Sequence, residues 1–338
     1  MIIKNKDYSK EDLRADLDLF CLGLWDYRIA SFMPELLEGD DEPKPLKFLL
    51  RPFIVEGGGT ILFAPPGRGK SYSALLWATM IHNGINLLWT VIQSPTLFIN
   101  LERSKQSVRR RVATVNKVLG LPAEHPLLIL NARGKSLLDV MPICRKTITQ
   151  YGIKFIVLDS ISRAGFGDLT ENRPVNTIID SLSSLCDTWL ALAHTPRADE
   201  GHIYGGIHFE AGADIVIQLS SEINDEGTLG IGYQITKAND LPTTNLSLFA
   251  FEFDEAGLTA VRKAKQMEFP NIASRQATNI LDDVRDFILN QDTGDATATQ
   301  VENALGYKRP AISKLFTQSG KFIQTRKDKQ SVYYGVKE

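Results

Sequence analysis

The chain of 338 residues is short of cysteine, of net charge and of long apolar runs, and each shortage excludes something. Cys21, Cys144 and Cys186 are odd in number and lack metal-ligand spacing. That argues against a disulfide scaffold or a thiolate metal site and fits a reducing cytoplasm. Thirty-eight Lys and Arg stand against 40 Asp and Glu, a net charge of −2 at pH 7. A globally basic coat for nucleic acid is excluded, so any such contact must be local. The longest apolar stretch, Leu75 to Ile92, is broken by His82-Asn83-Gly84, so no membrane span and no membrane partner are expected. The first residues, Met-Ile-Ile-Lys-Asn-Lys-Asp, carry no signal-peptide apolar region, and a cytoplasmic protein is expected. No internal repeat is evident. The remainder is ordinary: 43% hydrophobic and 23% charged residues, at a length that suits one large domain and a small one.

The stretch that organises the chain runs from Thr60 to Ala74. Ile61, Leu62 and Phe63 form a short apolar run, a Pro- and Gly-rich turn follows, and Ser71 to Met80 carry apolar residues at helical spacing. Strand, turn, Gly-Lys-Ser and helix make a phosphate-binding loop, over Ala64, Pro65, Pro66, Gly67, Arg68, Gly69, Lys70, Ser71 and Tyr72. Backbone N–H groups and the start of a helix would face an anion there. Lys70 would reach the β- and γ-phosphates of ATP, and the Ser71 hydroxyl would ligate Mg²⁺. The first glycine of the motif is replaced by Ala64.

Apolar or β-branched runs at 60–63, 88–92, 97–101, 127–131, 154–158, 189–193 and 214–219 read as strands, with helical patterns near 71–83, 104–119, 136–150 and 174–187. Their alternation predicts an α/β fold with a mostly parallel sheet covered by helices on both faces. Beyond 228 the pattern turns to hairpins, over 230–236 and 246–253. Three segments are expected: an N-terminal helical arm and linker over 1–47, an ATPase core over 48–274 and a winged-helix domain over 275–338. The arm opens at Ser9 with an N-cap and acidic first turn, then presents Leu13, Leu17, Phe20 and Leu24 on one face.

Lys154 to Ser160 ends an apolar strand in Asp159, the Walker B position, where a carboxylate holds Mg²⁺ partly through water. Ser160, not glutamate, comes next, so the base that orients water must come from elsewhere. Glu102, at the end of the strand that follows the phosphate-loop helix and a short hairpin, can supply it. A phosphate loop, a glutamate ending the next strand and an Asp-Ser Walker B resemble the RecA-like ATPases. They differ from AAA+ proteins, where the glutamate follows the Walker B aspartate. Further residues resemble the plasmid-type hexameric replicative helicases: His194-Thr195 ending a sensor strand, the segment Gly205 to Asp214, and Thr236-Lys237-Ala238-Asn239. The resemblance implies that His194 senses the γ-phosphate and that Lys237 acts on a neighbouring subunit's nucleotide, with Asn239 where such families have arginine. It also implies a homo-oligomer, a hexameric ring, in which loops 163–173 and 197–204 line a channel for single-stranded DNA.

Arg163, Arg173 and Arg197 are the basic residues of those loops. The alternative is mobile surface loops without a ligand. The triplet Arg109-Arg110-Arg111 reads as a solvated helix face with one interfacial residue rather than a DNA site. In the C-terminal segment, residues 307–338 hold eight Lys and Arg against two Asp and Glu. Lys308, Arg309, Lys314, Lys321, Arg326, Lys327 and Lys329 fall on the expected recognition helix and wing of a winged helix-turn-helix, a footprint for duplex DNA. Protein docking is the alternative for that module. The expectation for the whole is Mg-ATP hydrolysis coupled to DNA binding or translocation, of helicase type, in replication, recombination or repair. An ATP-switched DNA-binding scaffold without unwinding, and a strand-exchange recombinase, stand as alternatives.

Overall fold

The computed structural model describes residues 9–30, 34, 36, 39, 44–165, 167–196, 201–204, 207–241, 246–289, 291, 293–305, 307–328 and 331–337. The chain forms two units, Met1–Pro45 and Leu46–Glu338. Among its described residues the first contains the helix α1 (Lys10–Ala30). Ser9 caps it: its hydroxyl accepts from the Asp12 N–H at 3.1 Å, and the Asp12 carboxylate accepts from the Ser9 N–H at 3.0 Å. Leu13, Leu17, Phe20 and Leu24 are exposed on one side, and Leu19, Leu22 and Trp25 are exposed elsewhere around it. The helix is therefore apolar on several sides, not along the single stripe that its spacing predicts.

The second unit opens with a ribbon, β1 (Phe48–Leu50) and β2 (Ile54–Val55), before the central strand β3 (Gly59–Ala64) and the helix α2 (Lys70–Asn83). Then come β4 (Thr96–Asn100), α3 (Lys105–Val118), β5 (Leu128–Asn131), α4 (Leu137–Tyr151) and β6 (Phe155–Asp159). α5 (Asn172–Leu185), β7 (Trp189–His194) and the short α6 (Ile207–Gly212) follow. A meander closes this part: β8 (Ile215–Ile223), β9 (Leu229–Ala238), β10 (Ser247–Asp254) and β11 (Gly257–Lys263).

These strands make one nine-stranded sheet in the order β11-β10-β9-β8-β3-β7-β6-β4-β5. From β8 to β5 every neighbour is parallel, and β8 to β11 pair antiparallel. Central parallel strands are buried on both faces, which is why β3, β4 and β6 read as continuous apolar runs. Leu62, Val157 and Leu192 face one core with α2, while Ile61, Ile156 and Ala191 face the other with α4 and α5.

Neither the strand expected at 88–92 nor a hairpin forms between α2 and β4. Val91 makes one isolated bridge to Leu50, because the polar groups of this segment are taken by β1: Ile92 N–H donates to Leu49 C=O, and Arg51 N–H to Thr90 C=O. Trp89 instead joins a buried aromatic group with Phe53, Trp77, Tyr233 and Phe249. The Tyr233 hydroxyl donates to Ser73 Oγ at 2.7 Å, tying β9 to α2.

The C-terminal part comprises α7 (Pro270–Leu289), β12 (Asp295–Thr297), α8 (Ala298–Leu305), α9 (Arg309–Gln318), β13 (Phe322–Lys327) and β14 (Val332–Val336). Its sheet runs β12-β14-β13, all antiparallel, over a small core that includes Val284, Ile288, Val301, Ile312 and Phe316. α7 passes through residue 275, where the composition shift suggests a boundary. Its start is held on the large sheet: Glu222 accepts from the Asn271 and Ile272 N–H groups, and Phe269 and Ile272 lie against Gly230 and Gly232 of β9.

Candidate active site at the carboxyl edge of the parallel strands

In a parallel sheet the strands deliver their C-terminal residues to one edge. Here Ala64 of β3 pairs in register with His194 of β7, and Asn100 of β4 with Asp159 of β6. Four chain segments thus end beside the turn between β3 and α2. One cleft is lined by Pro66 to Tyr72, Glu102, Arg103, Arg111, Asp159, Ser160 and His194, closed on one side by Leu229 and Phe253.

The turn has the shape its residues require. Gly67 and Gly69 have φ of +78° and +96°, the left-handed region that favours glycine. Ala64 does not need to be glycine, since it is the buried last residue of a strand, and among the described residues no non-glycine has positive φ. Gly69 precedes α2 without a side-chain cap, which leaves N–H groups at the helix start for an anion.

Lys70 is buried, and its Nζ donates to the carbonyls of Ala64 at 2.6 Å and Pro65 at 2.8 Å. Burial pulls its pKa down to about 8, against the attraction of Asp159 and Glu102. Asp159 is pushed up to about 6 by burial first and by Glu102 second, opposed by a hydrogen bond from Ser71 and the charges of Arg103 and Arg111. The Asp159–Ser160 peptide is cis. The Ser160 hydroxyl donates to Glu102 Oε2 at 3.1 Å and meets Ser162 Oγ at 2.9 Å, so the residue after Asp159 positions the second carboxylate. His194 is held below its ordinary pKa by burial and by Lys70, and its buried Nδ1 has no hydrogen-bond partner among the described residues.

A family model described as an AAA domain matches residues 30–198, half of the chain. The chain belongs to that family. No curated protein matches it. An AAA-type P-loop domain, of a family related to the RecA-like ATPases, implies a nucleotide, generally with Mg²⁺. The residues present fit that group: a Gly turn at a helix start, a buried lysine, a hydroxyl and a carboxylate already in contact, and an orphaned imidazole nitrogen at the rim. In this AAA domain the second carboxylate follows the end of β4, while Ser160 follows Asp159.

The match ends close to the end of β7, and the other expected residues lie around or away from the cleft. Lys237 is not brought to it: its Nζ donates to the carbonyls of Glu210 at 2.7 Å, Ala211 at 3.1 Å and Ala213 at 2.7 Å, closing the end of α6. Its ammonium is thereby engaged within its own chain. Arg163 ends a 3-10 turn, Ile161–Arg163, and is exposed on a groove it shares with Arg133, Lys135 and Glu102. Arg173 is exposed in the first turn of α5. Lys308, Arg309, Lys314 and Lys327 are exposed on α9, its cap and β13, whereas Arg197 and Lys329 lie outside the described residues. Arg326, inside the same basic run, forks onto buried Asp295 at 2.9 and 3.0 Å and stacks on Tyr333, which makes it a strut of the module.

Arg109 and Arg110 are exposed, and Arg111 is the residue of the triplet that turns away from solvent. It lies between buried Val108 and Val115 at helical spacing, with its guanidinium 4.4 Å from the centre of the Tyr72 ring, which packs edge-on against Phe253. An arginine at an apolar-stripe position was the available signal. Arg103, Leu229 and Phe253 gave none. Among the described residues no helix is long and apolar enough to cross a membrane.

Proposed function

We propose that this AAA-domain chain hydrolyses Mg-ATP and couples hydrolysis to binding of, or movement on, DNA, as a homo-oligomeric ring of helicase type. The observation that carries the coupling is the place of Glu102. It lines the nucleotide cleft on one side and the groove of Arg133, Lys135 and Arg163 on the other. A strand phosphate drawn to those cations would act on the carboxylate that faces the nucleotide.

Within the cleft, Lys70 and the N–H groups of the turn bind the β- and γ-phosphates, and Ser71 and Asp159 hold the metal ion. Mg²⁺, when bound with the nucleotide, neutralises charge on the transferring phosphoryl group. Glu102, steadied by Ser160, orients the attacking water and accepts its proton. His194 ends β7 within the field of Lys70, and it reports the terminal phosphate to the segment that follows this strand.

The C-terminal module is read as a winged helix, from the order helix, strand, two helices and hairpin. α9 is the recognition helix and β13–β14 the wing, with Lys308, Arg309, Lys314 and Lys327 toward duplex phosphates. A second reading, an ATP-switched DNA-binding scaffold, is favoured by Lys237: a residue engaged with three carbonyls of its own chain is poorly placed to act between subunits. Turnover measured with and without single-stranded DNA separates the two. A motor gives several-fold stimulation that falls with salt and with Arg133→Glu or Arg163→Glu. Equal turnover with and without DNA at low salt retires the motor and leaves the scaffold.

A further inference from the structure

Arg103 lines the nucleotide cleft beside Lys70, Ser71, Glu102 and Asp159. Its backbone is clamped on both sides by one buried residue. Asn100 Oδ1 accepts from the Arg103 N–H at 2.9 Å, and Asn100 Nδ2 donates to the Arg103 carbonyl at 2.7 Å. Asn100 is also bonded to Asn131 Oδ1 at 3.2 Å, so the clamp spans the ends of β4 and β5. The side chain therefore starts from a fixed point. Its Nε is buried and has no hydrogen-bond partner among the described residues. Buried donors are normally satisfied, and one left over at the rim of a phosphate cleft is a donor that a ligand completes. The guanidinium is near enough to Lys70 and Asp159 for its charge to act on both. Lys237, by contrast, is closed off by three carbonyls.

We propose that Arg103 is a catalytic arginine acting in cis, its guanidinium binding the terminal phosphate of the nucleotide held in its own chain. This rests on the ATPase reading of the cleft. In the step it serves, the water oxygen bonds to the γ-phosphorus as the bond to the bridging oxygen breaks. The electron pair leaves with ADP, and the water proton passes to Glu102. Charge on the equatorial oxygens is met by Lys70 from one side and Arg103 from the other. A planar donor fork suits those oxygens better than an ammonium does.

The test uses the full chain with Arg103→Ala, Arg103→Lys, Lys70→Ala and Glu102→Gln. Arg103→Ala is expected to lower kcat on the order of 10³-fold while ADP affinity stays within about threefold of wild type. Arg103→Lys should recover only a small part of that loss, since the ammonium lacks the fork. Arg103→Ala should also lose the tight complex with ADP, Mg²⁺ and aluminium fluoride. Added guanidinium ion at millimolar concentration should restore part of the Arg103→Ala turnover and none of the Lys70→Ala turnover. Mixing Arg103→Ala with Glu102→Gln subunits should restore nothing, because both groups serve one site. Wild-type kcat in Arg103→Ala, an equal loss of ADP binding, or recovery in the mixture would each overturn the proposal. If Lys70→Ala abolishes ADP binding while Arg103→Ala matches wild type, only the arginine assignment falls. If Lys70→Ala leaves ADP binding intact, the ATPase reading falls and takes this proposal with it.

Discussion

Lys70 titrates near 8 because it is buried, and that sets how binding must depend on pH. A triphosphate binds the charged amine and raises its pKa in the complex. ATP affinity should therefore be level below pH 8 and weaken above it, approaching tenfold per pH unit. Lys70→Ala should bind far more weakly and show no such slope, which a titration from pH 7 to 9.5 reads directly. Asp159 carries the opposite displacement, up to about 6 by burial. A carboxyl with a raised folded-state pKa adds stability that is complete below its unfolded value and lost as pH rises through the folded one. At pH 7 its ionised form is a liability, because burial and Glu102 outweigh the cations beside it. Asp159→Asn should raise the stability of the nucleotide-free protein by roughly 1–3 kcal/mol at pH 7. The gain should vanish below about pH 4, as thermal melts across pH will show, even though turnover is lost.

The elements that make the site were legible because physics writes them plainly. β3, β4, β6 and β7 are buried on both faces and so are continuous apolar runs; α3, α4 and α5 keep a 3.6-residue period, whereas α2 is buried all round from Ser73 to Ile81. What stayed hidden is short or takes its structure from a neighbour. β1, β2 and β12 have two or three residues each, too few for a pattern, and α6 has six. Leu88 to Ile92 has strand composition but gives its backbone bonds to β1, and Trp89 goes to the aromatic core. β9 shows how an element serves two sides. Ile231 and Tyr233 pack toward the phosphate loop and α2, while Gly230 and Gly232 leave room for Phe269 and Ile272 at the start of α7. A Cβ on Gly230 would stand 2.3 Å from the Phe269 ring. Gly230→Ala should cost about 1–3 kcal/mol by overpacking. The expected signs are a lower denaturation midpoint and faster proteolysis near residue 269.

For the whole molecule, strand order and the sharing of Glu102 between two clefts could not be read from the chain, since both depend on which strands become neighbours. The same holds for Lys237, whose partners in and after α6 are 24 to 27 residues away. Charge placement was more legible. Lys308, Arg309, Lys314 and Lys327 are exposed, while Arg326, similar by composition, is tied to Asp295. If the C-terminal surface holds duplex DNA, reversing Lys308, Arg309 and Lys327 to Glu in the full chain should weaken binding. The log–log salt slope should then shrink by roughly 0.9 for each phosphate that the protein no longer neutralises. ATP turnover without DNA should stay near wild type. An unchanged salt slope would assign that surface to a protein partner.

In the proposed function one cleft, at the ends of β3, β4, β6 and β7, binds and hydrolyses ATP with Glu102 as the group that handles water. The most direct measurement is ATP affinity and turnover, side by side, in wild type and Glu102→Gln. Glu102→Gln is expected to bind ATP about as tightly as wild type does and to turn it over more slowly, on the order of 10²-fold or more. Wild-type turnover in Glu102→Gln would contradict it.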